Sequence, residues 1–174
     1  MLKRFAARLA LVSSCVLMTA APAQARFWQC APYARAVSGI QIFGNAHTWW
    51  DQAAGRYERG NTPKAGAVMA MASTSRMRLG HVAMVKEVVS DREVILDHAN
   101  WTRRGGVERS ARAIDVSAAG DWSLVKVQYG GALGTSSYPT FGFIYGGRAP
   151  ADERVPLVIA SRGGARGIQT LVAE

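Results

Sequence analysis

Residues 27–35 read FWQCAPYAR, and this stretch places a cysteine at the start of a predicted helix. Pro32 suits the first turn because the N–H that proline lacks has no intrahelical acceptor there, and Gly39 ends the helix. Cys30 therefore lies at or just before the first turn, where unpaired N–H groups and the helix dipole favour a thiolate. The same N–H groups, with the side-chain amide of Gln29, suit a developing oxyanion. The alternative is that Cys30 is a small buried hydrophobic residue, as most free cysteines are.

The first 25 residues have the pattern of a secretory signal peptide. Three basic residues precede an apolar run over residues 9–20, and Ala23-Gln24-Ala25 forms an A-x-A site, so cleavage is predicted after Ala25. The apolar run is too short for a stable transmembrane helix, which disfavours a retained membrane anchor. The residues up to Cys15 loosely resemble a lipoprotein signal. The residues after it stay apolar, however, so lipidation is the less favoured alternative.

The composition is that of a basic protein with one cysteine left after cleavage. The chain has 174 residues, enough for one domain, and a formal net charge of +9; cleavage removes three positive charges and no negative ones, leaving +6. A basic exported protein suits an anionic polymer or a membrane surface, whereas export separates it from nucleic acid. Cys30 cannot form an internal disulfide, which in an oxidising compartment is typical of a reactive thiol or an intermolecular partner. We predict a periplasmic or secreted protein without stable membrane insertion after cleavage.

Downstream, apolar runs and turn signals predict two helices followed by antiparallel strands. The second helix is predicted from Ala46 to about Tyr57, with apolar residues at helical spacing. Short turns between the later runs favour an antiparallel meander, so the expected class is α+β, with N-terminal helices packed on an antiparallel sheet. The predicted strands cover residues 67–71, 81–89, 93–101, 113–116, 124–129 and 138–145.

The limits of the domain and its aromatic residues follow from the same pattern. Residues 26–148 are predicted to form the folded domain, and residues 149–174, rich in small and charged residues, a disordered tail. Trp49 and Trp50 suit either the core or a substrate groove, and at least one of them is expected in the core. Trp101 is a third candidate for the groove.

Three histidines remain after cleavage as candidate bases for Cys30. His81 opens a strand whose alternate residues are apolar, which places it on the inward face. A cysteine paired with such a histidine is the expected arrangement for acyl transfer at a carbonyl, although a satisfied core histidine is the alternative. His47 lies on the second predicted helix and is expected to face solvent or cap it.

The imidazole needs an acceptor that orients it, and the candidates are Asp97, His98 and Asn100. Strand alternation places His98 and Asn100 on one face and Asp97 on the other. Chemistry favours Asp97 or Asn100 as the acceptor of an N–H. Asn100 therefore satisfies both criteria, the strand face and the ability to accept. A β-bulge would bring Asp97 to the same face.

Five short segments follow one another along the chain: Gln29-Cys30 with Tyr33-Ala34-Arg35, Trp49-Trp50, Pro63 with Gly66-Ala67-Val68, Gly80-His81-Val82-Ala83, and Asn100-Trp101. In order and spacing they resemble the CHAP domain, a cysteine, histidine-dependent amidohydrolase/peptidase of the papain-like class. The likeness runs from about residue 27 to residue 101, with a looser continuation to residue 145.

The resemblance implies a papain-like fold with Cys30 as nucleophile and His81 as base. Many members carry a glutamate two residues before the asparagine, where this chain has His98, so the third role stays open among Asn100, Asp97 and His98. Family members typically cut amide bonds in peptidoglycan, as N-acetylmuramoyl-L-alanine amidases or endopeptidases. A few instead cut other amides, such as glutathionylspermidine.

We therefore expect an exported cysteine hydrolase that cuts peptidoglycan amide bonds. The backbone N–H of Cys30, with Gln29, is expected to stabilise the oxyanion. No cofactor is implied, and no metal, since ligand types cluster only at Asp97 and His98. The alternatives are a non-catalytic module of the same fold that binds the cell wall or a partner, and an amidase acting on a small molecule or secreted peptide. An activator protein is a further open partner.

Overall fold

The first helix begins at the cysteine, as the sequence predicts. The computed structural model describes residues 27–146, and within them helix α1 covers Cys30–Ser38. Gly39 ends it in the left-handed conformation, with φ of 76°, and donates its N–H to the carbonyl of Arg35. The predicted signal peptide, residues 1–25, and the predicted tail, residues 149–174, lie outside the described residues.

The second helical segment is shorter than predicted. A 3₁₀ turn covers Ala46–Thr48 and helix α2 covers only Trp49–Ala53. The prediction of a helix to about Tyr57 is wrong because Ala54 leaves the helical conformation, with ψ of 129°, and Gly55 takes a positive φ of 68°. No helix within residues 27–146 is long and apolar enough to span a bilayer.

The remaining elements are strands, and all their pairings are antiparallel. Six of them follow one another around a closed barrel, in which the last long strand pairs with both the first and the fifth. The short strands β1 and β7 extend its rim at β8 and β6. The strands are β1 (Arg59–Gly60), β2 (Val68–Met71), β3 (His81–Ser90), β4 (Glu93–Ala99), β5 (Val107–Asp115), β6 (Leu124–Tyr129), β7 (Ala132–Leu133) and β8 (Tyr138–Ile144).

The expected fold class, a papain-like α+β fold with N-terminal helices packed on an antiparallel sheet, is wrong. The described chain is mostly β, with a closed six-stranded antiparallel barrel and two short α-helices. Closure follows from the pairing of β6 with β8, where Leu124 lies opposite Pro139 and Val125 opposite Tyr138. β8 also pairs with β2, where Met69 lies opposite Phe143, and this contact joins distant parts of the chain. The local sequence pattern of an open meander is the same as that of a barrel, so the sequence does not predict closure.

Two apolar cores lie on the two sides of the barrel wall. Strand β2 is buried at every residue: Met69 and Met71 point into the barrel, and Val68 and Ala70 face the helices outside it. The outer core includes Trp49, which is fully buried. Each such large side chain contributes roughly 1.5–3 kcal/mol on burial. Since α1 contacts β3 and β4, this outer core fixes the start of α1 against the barrel wall.

Candidate active site

A cavity of about 730 Å³ opens where the start of α1 meets the end of the barrel. Its volume falls in the range of small-molecule and peptide pockets. Five residues singled out by the sequence line it together, and they come from the helix start, the start of β3 and the segment after β4. These five are Gln29, Cys30, His81, Asn100 and Trp101.

Cys30 is the first residue of α1 and lines the cavity. Burial raises the pKa of its thiol above the ordinary value, although backbone N–H groups of Val82, Ala31 and Cys30 itself act in the opposite direction. Desolvation therefore opposes the thiolate that the helix start is expected to favour, and it outweighs the N–H groups. A reaction at this sulfur needs a base that takes the thiol proton.

His81 is fixed at the mouth of the barrel by its position in β3. It lies opposite Met71 in the ladder and has the inward parity of the barrel core, as predicted. Gly80 precedes it with φ of 68°, and a Cβ there would come within 2.8 Å of the His47 nitrogen and the Met71 oxygen, so only glycine fits. The Trp101 ring covers the imidazole, with centroids 4.7 Å apart.

The partner of His81 is His98. Its Nδ1 lies 3.0 Å from His81 Nε2, and both rings are buried. Burial, and then the neighbouring His98, lower the pKa of His81 well below 6.5. Burial lowers the pKa of His98 to about 4, against the opposing charges of Glu108 and Asp97. Both imidazoles are therefore neutral at pH 7, and His81 is free to accept a proton.

Glu108 stands behind His98 and was not singled out from the sequence. Its Oε2 lies 3.9 Å from His98 Nε2, and its two carboxylate oxygens accept hydrogen bonds from the N–H and hydroxyl of Thr102. Strict alternation from Ala111 and Ala113 would place Glu108 outside the barrel. A register shift in the pairing of β4 with β5 brings it opposite His98 instead.

Asp97 lies on the outer face of β4, as strand alternation predicts. The hydroxyl of Tyr33 donates to Asp97 Oδ1 over 2.7 Å, and burial together with that carboxylate raises the pKa of Tyr33 to about 12. Asp97 therefore braces α1 against β4, and no hydrogen bond joins it to His81 within residues 27–146.

We expect Asp97→Asn to leave catalysis unchanged within about 3-fold, since the amide oxygen can still accept from Tyr33. Tyr33→Phe, its matched partner, removes the donor from a part-buried carboxylate and should lower the free energy of unfolding by about 1–3 kcal/mol. Chemical denaturation and steady-state kinetics measure the two effects. A tenfold loss of kcat in Asp97→Asn would instead assign the carboxylate to catalysis.

Asn100 contacts the oxyanion candidate and not the base. It takes a left-handed conformation, with φ of 62°; its Nδ2 donates to Gln29 Oε1 over 2.9 Å and its Oδ1 accepts from the N–H of Gly105. Gln29 lines the cavity, and its Nε2 makes no hydrogen bond to another group of the described chain. Asn100 therefore fixes the orientation of Gln29, whereas His98 fixes His81.

The three tryptophans that were candidates for a substrate groove lie in different environments. Trp49 is core, as expected for at least one of them, and Trp50 stacks on Phe141 away from the cavity lining. Trp101 alone lines the cavity, where it also contacts the ring of Tyr138. The cavity wall also carries side chains that the sequence did not single out: Arg76, Met77, Arg78, Leu79, Tyr129 and Tyr138.

Acidification is expected to destabilise the folded protein through the two buried histidines. Above pH 6.5 they are neutral in both folded and unfolded chains, so they add nothing to the pH dependence. As the pH falls below 6.5 the unfolded chain binds protons that the folded chain does not, until His98 titrates at about 4. Melting temperature measured from pH 7.5 to 5 should fall, with a shallower slope in His98→Gln; a rise toward acid would contradict neutral rings.

Comparison with known proteins gives a match to one family. Residues 21–100 match the model of the CHAP domain family. This match confirms the predicted resemblance, and the CHAP match includes Cys30, His81 and His98. It relates the chain to a family that is typically hydrolase-like. Within residues 27–146, no three His, Cys, Asp or Glu side chains gather as they would around a metal ion.

Curated relatives match over a similar part of the chain. Staphylococcal secretory antigen SsaA of Staphylococcus aureus (strain NCTC 8325 / PS 47) is 36% identical over 101 residues, covering 56% of this chain and 38% of that protein. Staphylococcal secretory antigen ssaA2 of the same strain is 37% identical over 101 residues, covering 56% of this chain and 36% of that protein. The chain thus spans well under half the length of these relatives.

Proposed function

We propose that this chain is an exported cysteine hydrolase that cuts amide bonds in peptidoglycan. One observation carries the reaction type: a cysteine at a helix start and a buried, neutral histidine line the same cavity, and a second histidine holds the first. The CHAP match and the secretory antigen relatives support the wall substrate and the export.

The proposed reaction begins with a neutral pair. His81 takes the proton of the Cys30 thiol as the sulfur attacks the amide carbon, and the tetrahedral oxyanion is stabilised by the Cys30 backbone N–H and Gln29 Nε2. His81 then gives the proton to the leaving amine, and a thioester remains on Cys30. Water, deprotonated by His81, releases the acid and restores the thiol.

The cavity wall suits a peptide that carries carboxylates. Arg76 and Arg78 are exposed on the segment before β3 and make no ion pair within residues 27–146, so their charge is available to a ligand. Trp101 and Tyr138 offer flat apolar surface beside them. Stem peptides of peptidoglycan present both free carboxylates and short aliphatic side chains, which match these two features.

The test is digestion of purified peptidoglycan by the chain from Arg26 onward, with soluble products identified by mass spectrometry. Cysteine-dependent release of free stem peptides would identify an N-acetylmuramoyl-L-alanine amidase, and release of cut stems or opened cross-links an endopeptidase. Release by Cys30→Ala at the same rate would overturn the mechanism.

If no products are released, three other functions are tested: a binding module, an amidase for small molecules, and an enzyme that needs an activator. A wall-binding or partner-binding module would retain peptidoglycan in a pull-down without cutting it. An amidase for small molecules would hydrolyse soluble amides such as glutathionylspermidine while leaving the polymer intact, and an enzyme that needs an activator would still show a Cys30 thiol made reactive by His81.

A further inference from the structure

We propose that Glu108 is a positioning residue for the Cys30–His81 pair and acts through His98. In this series of four side chains, Glu108 determines which nitrogen of His98 carries the proton, and His98 in turn determines which nitrogen of His81 does. This inference rests on the proposed function. It assigns a role to a carboxylate that neither the sequence pattern nor the family resemblance singles out, and it explains how a histidine can occupy the place where related domains carry a glutamate.

The first step concerns the outer nitrogen of His98. The His98 side chain is fully buried, and its Nε2 has no hydrogen-bond partner within the described residues. The group that faces it is the Glu108 carboxylate, which at 3.9 Å is beyond hydrogen-bond length but close enough for a strong electrostatic effect. An ionised carboxylate only accepts, so it favours the tautomer that carries the His98 proton on Nε2.

The second step concerns the tautomer of His81, which His98 determines. A neutral His98 with its proton on Nε2 has a lone pair on Nδ1, and that atom lies 3.0 Å from His81 Nε2. The bond between two histidines needs one donor, so His81 must carry its proton on Nε2. The remaining nitrogen, His81 Nδ1, is then unprotonated, so it is the one that can take a proton from Cys30, which lines the same cavity as His81. Glu108 thus determines which nitrogen of His81 acts as the base.

The third step concerns charge. When Cys30 loses its proton, His81 becomes an imidazolium in a buried site. Three groups bear on His98 from the surrounding strands: His81 on β3, Asp97 on β4 and Glu108 on β5. Asp97 is held on the outer face by Tyr33, whereas Glu108 lies in line with the imidazole pair. Its negative charge stabilises the imidazolium through the oriented His98 ring, and no proton has to leave the site.

The experiment compares Glu108→Gln in two backgrounds of the full chain. With His98 present, we expect kcat for peptidoglycan release to fall about 10- to 100-fold with little change in KM, the range known for carboxylates that orient metal-bound histidines. In the His98→Glu background a carboxylate accepts directly from His81. Glu108→Gln should then leave kcat within about 2-fold, or raise it, because it removes a like charge.

Thr102→Val is the matched control, since it removes the hydroxyl that binds Glu108 and keeps the carboxylate. We expect it to retain kcat within about 3-fold. An equal loss from Glu108→Gln in both backgrounds would show that Glu108 only supports the segment around Thr102 and would overturn the proposal. Unchanged kcat in both backgrounds would overturn it as well.

A second readout does not depend on hydrolysis or on folding of the His98→Glu variant. Alkylation of Cys30 by iodoacetamide is followed at its own peptide by mass spectrometry. Glu108→Gln should slow it about 10-fold at pH 7 and leave it unchanged once the pH exceeds the pKa of the Cys30 thiol, read from the pH profile of the wild type, because the sulfur then ionises without His81. Equal rates at pH 7 would overturn the role of Glu108. A slowed rate in a chain that releases nothing from peptidoglycan would retain this role and reject the proposed substrate.

Discussion

Cys30→Ala should lower the rate of peptidoglycan release by about 10⁴- to 10⁶-fold, the loss seen when the nucleophile of a triad enzyme is removed. The reason is geometric, since Cys30 is the first residue of α1 and lines the same cavity as His81. The residual rate would come from substrate binding and the oxyanion donors alone. Release of soluble products, quantified over time by mass spectrometry at saturating enzyme, measures the effect.

Two controls separate chemistry from folding. Cys30→Ser keeps the size and the hydrogen-bonding capacity of the side chain, and it should be nearly as inactive because a hydroxyl with only His81 as base is a far weaker nucleophile than a thiol. Methyl methanethiosulfonate should block the wild-type chain from Arg26 onward, and a reducing agent should restore it. Activity that survives the block would show that the sulfur takes no part.

Much of the local structure is readable from sequence because it depends on neighbouring residues. Pro32 and Gly39 determine where α1 starts and ends, and the continuous apolar run of β2 indicates a strand covered on both faces. The alternation of β3 places His81 on the inner side. These features predict α1, β2 and the inward side of β3, and the structure places Cys30 and His81 on the wall of one cavity.

The barrel and the far end of the site depend on contacts between distant segments. Closure requires β8 to pair with β2, about 70 residues earlier in the chain, as well as with β6. The expected strand at residues 113–116 is in fact part of β5, which begins at Val107. Residues 107–112 are largely polar and basic, so their pattern does not predict a buried strand. A strand paired on both edges can still tolerate such residues where one face meets solvent.

The partner of His81 shows that strand register is the feature least predictable from the sequence. A β-bulge in β4 would bring Asp97 to His81, but the register shift in the structure instead brings Glu108 on β5 to His98. One extra residue reverses the side on which every later side chain lies, and nothing in the sequence marks its position. Asn100, which satisfied both tests for the acceptor, instead holds Gln29 and Gly105.

His81→Ala is expected to lower the rate by at least 10³-fold, because the same imidazole removes the thiol proton, protonates the leaving amine and activates water. Since the pKa of Cys30 is raised by burial, little thiolate exists without a base near neutral pH. The loss should therefore shrink as the pH is raised above the thiol pKa. Rates measured from pH 6 to 10 for the wild type and the variant test this dependence.

The strongest check on His81 is the absence of additivity. Because Cys30 and His81 act in the same proton transfer, the variant that lacks both should be no slower than Cys30→Ala alone. Free imidazole added to His81→Ala should recover part of the rate, since removal of the side chain leaves a space beside Trp101. Independent losses that multiply in the double variant, with no rescue, would mean that His81 is the buried core histidine that its strand position also allows.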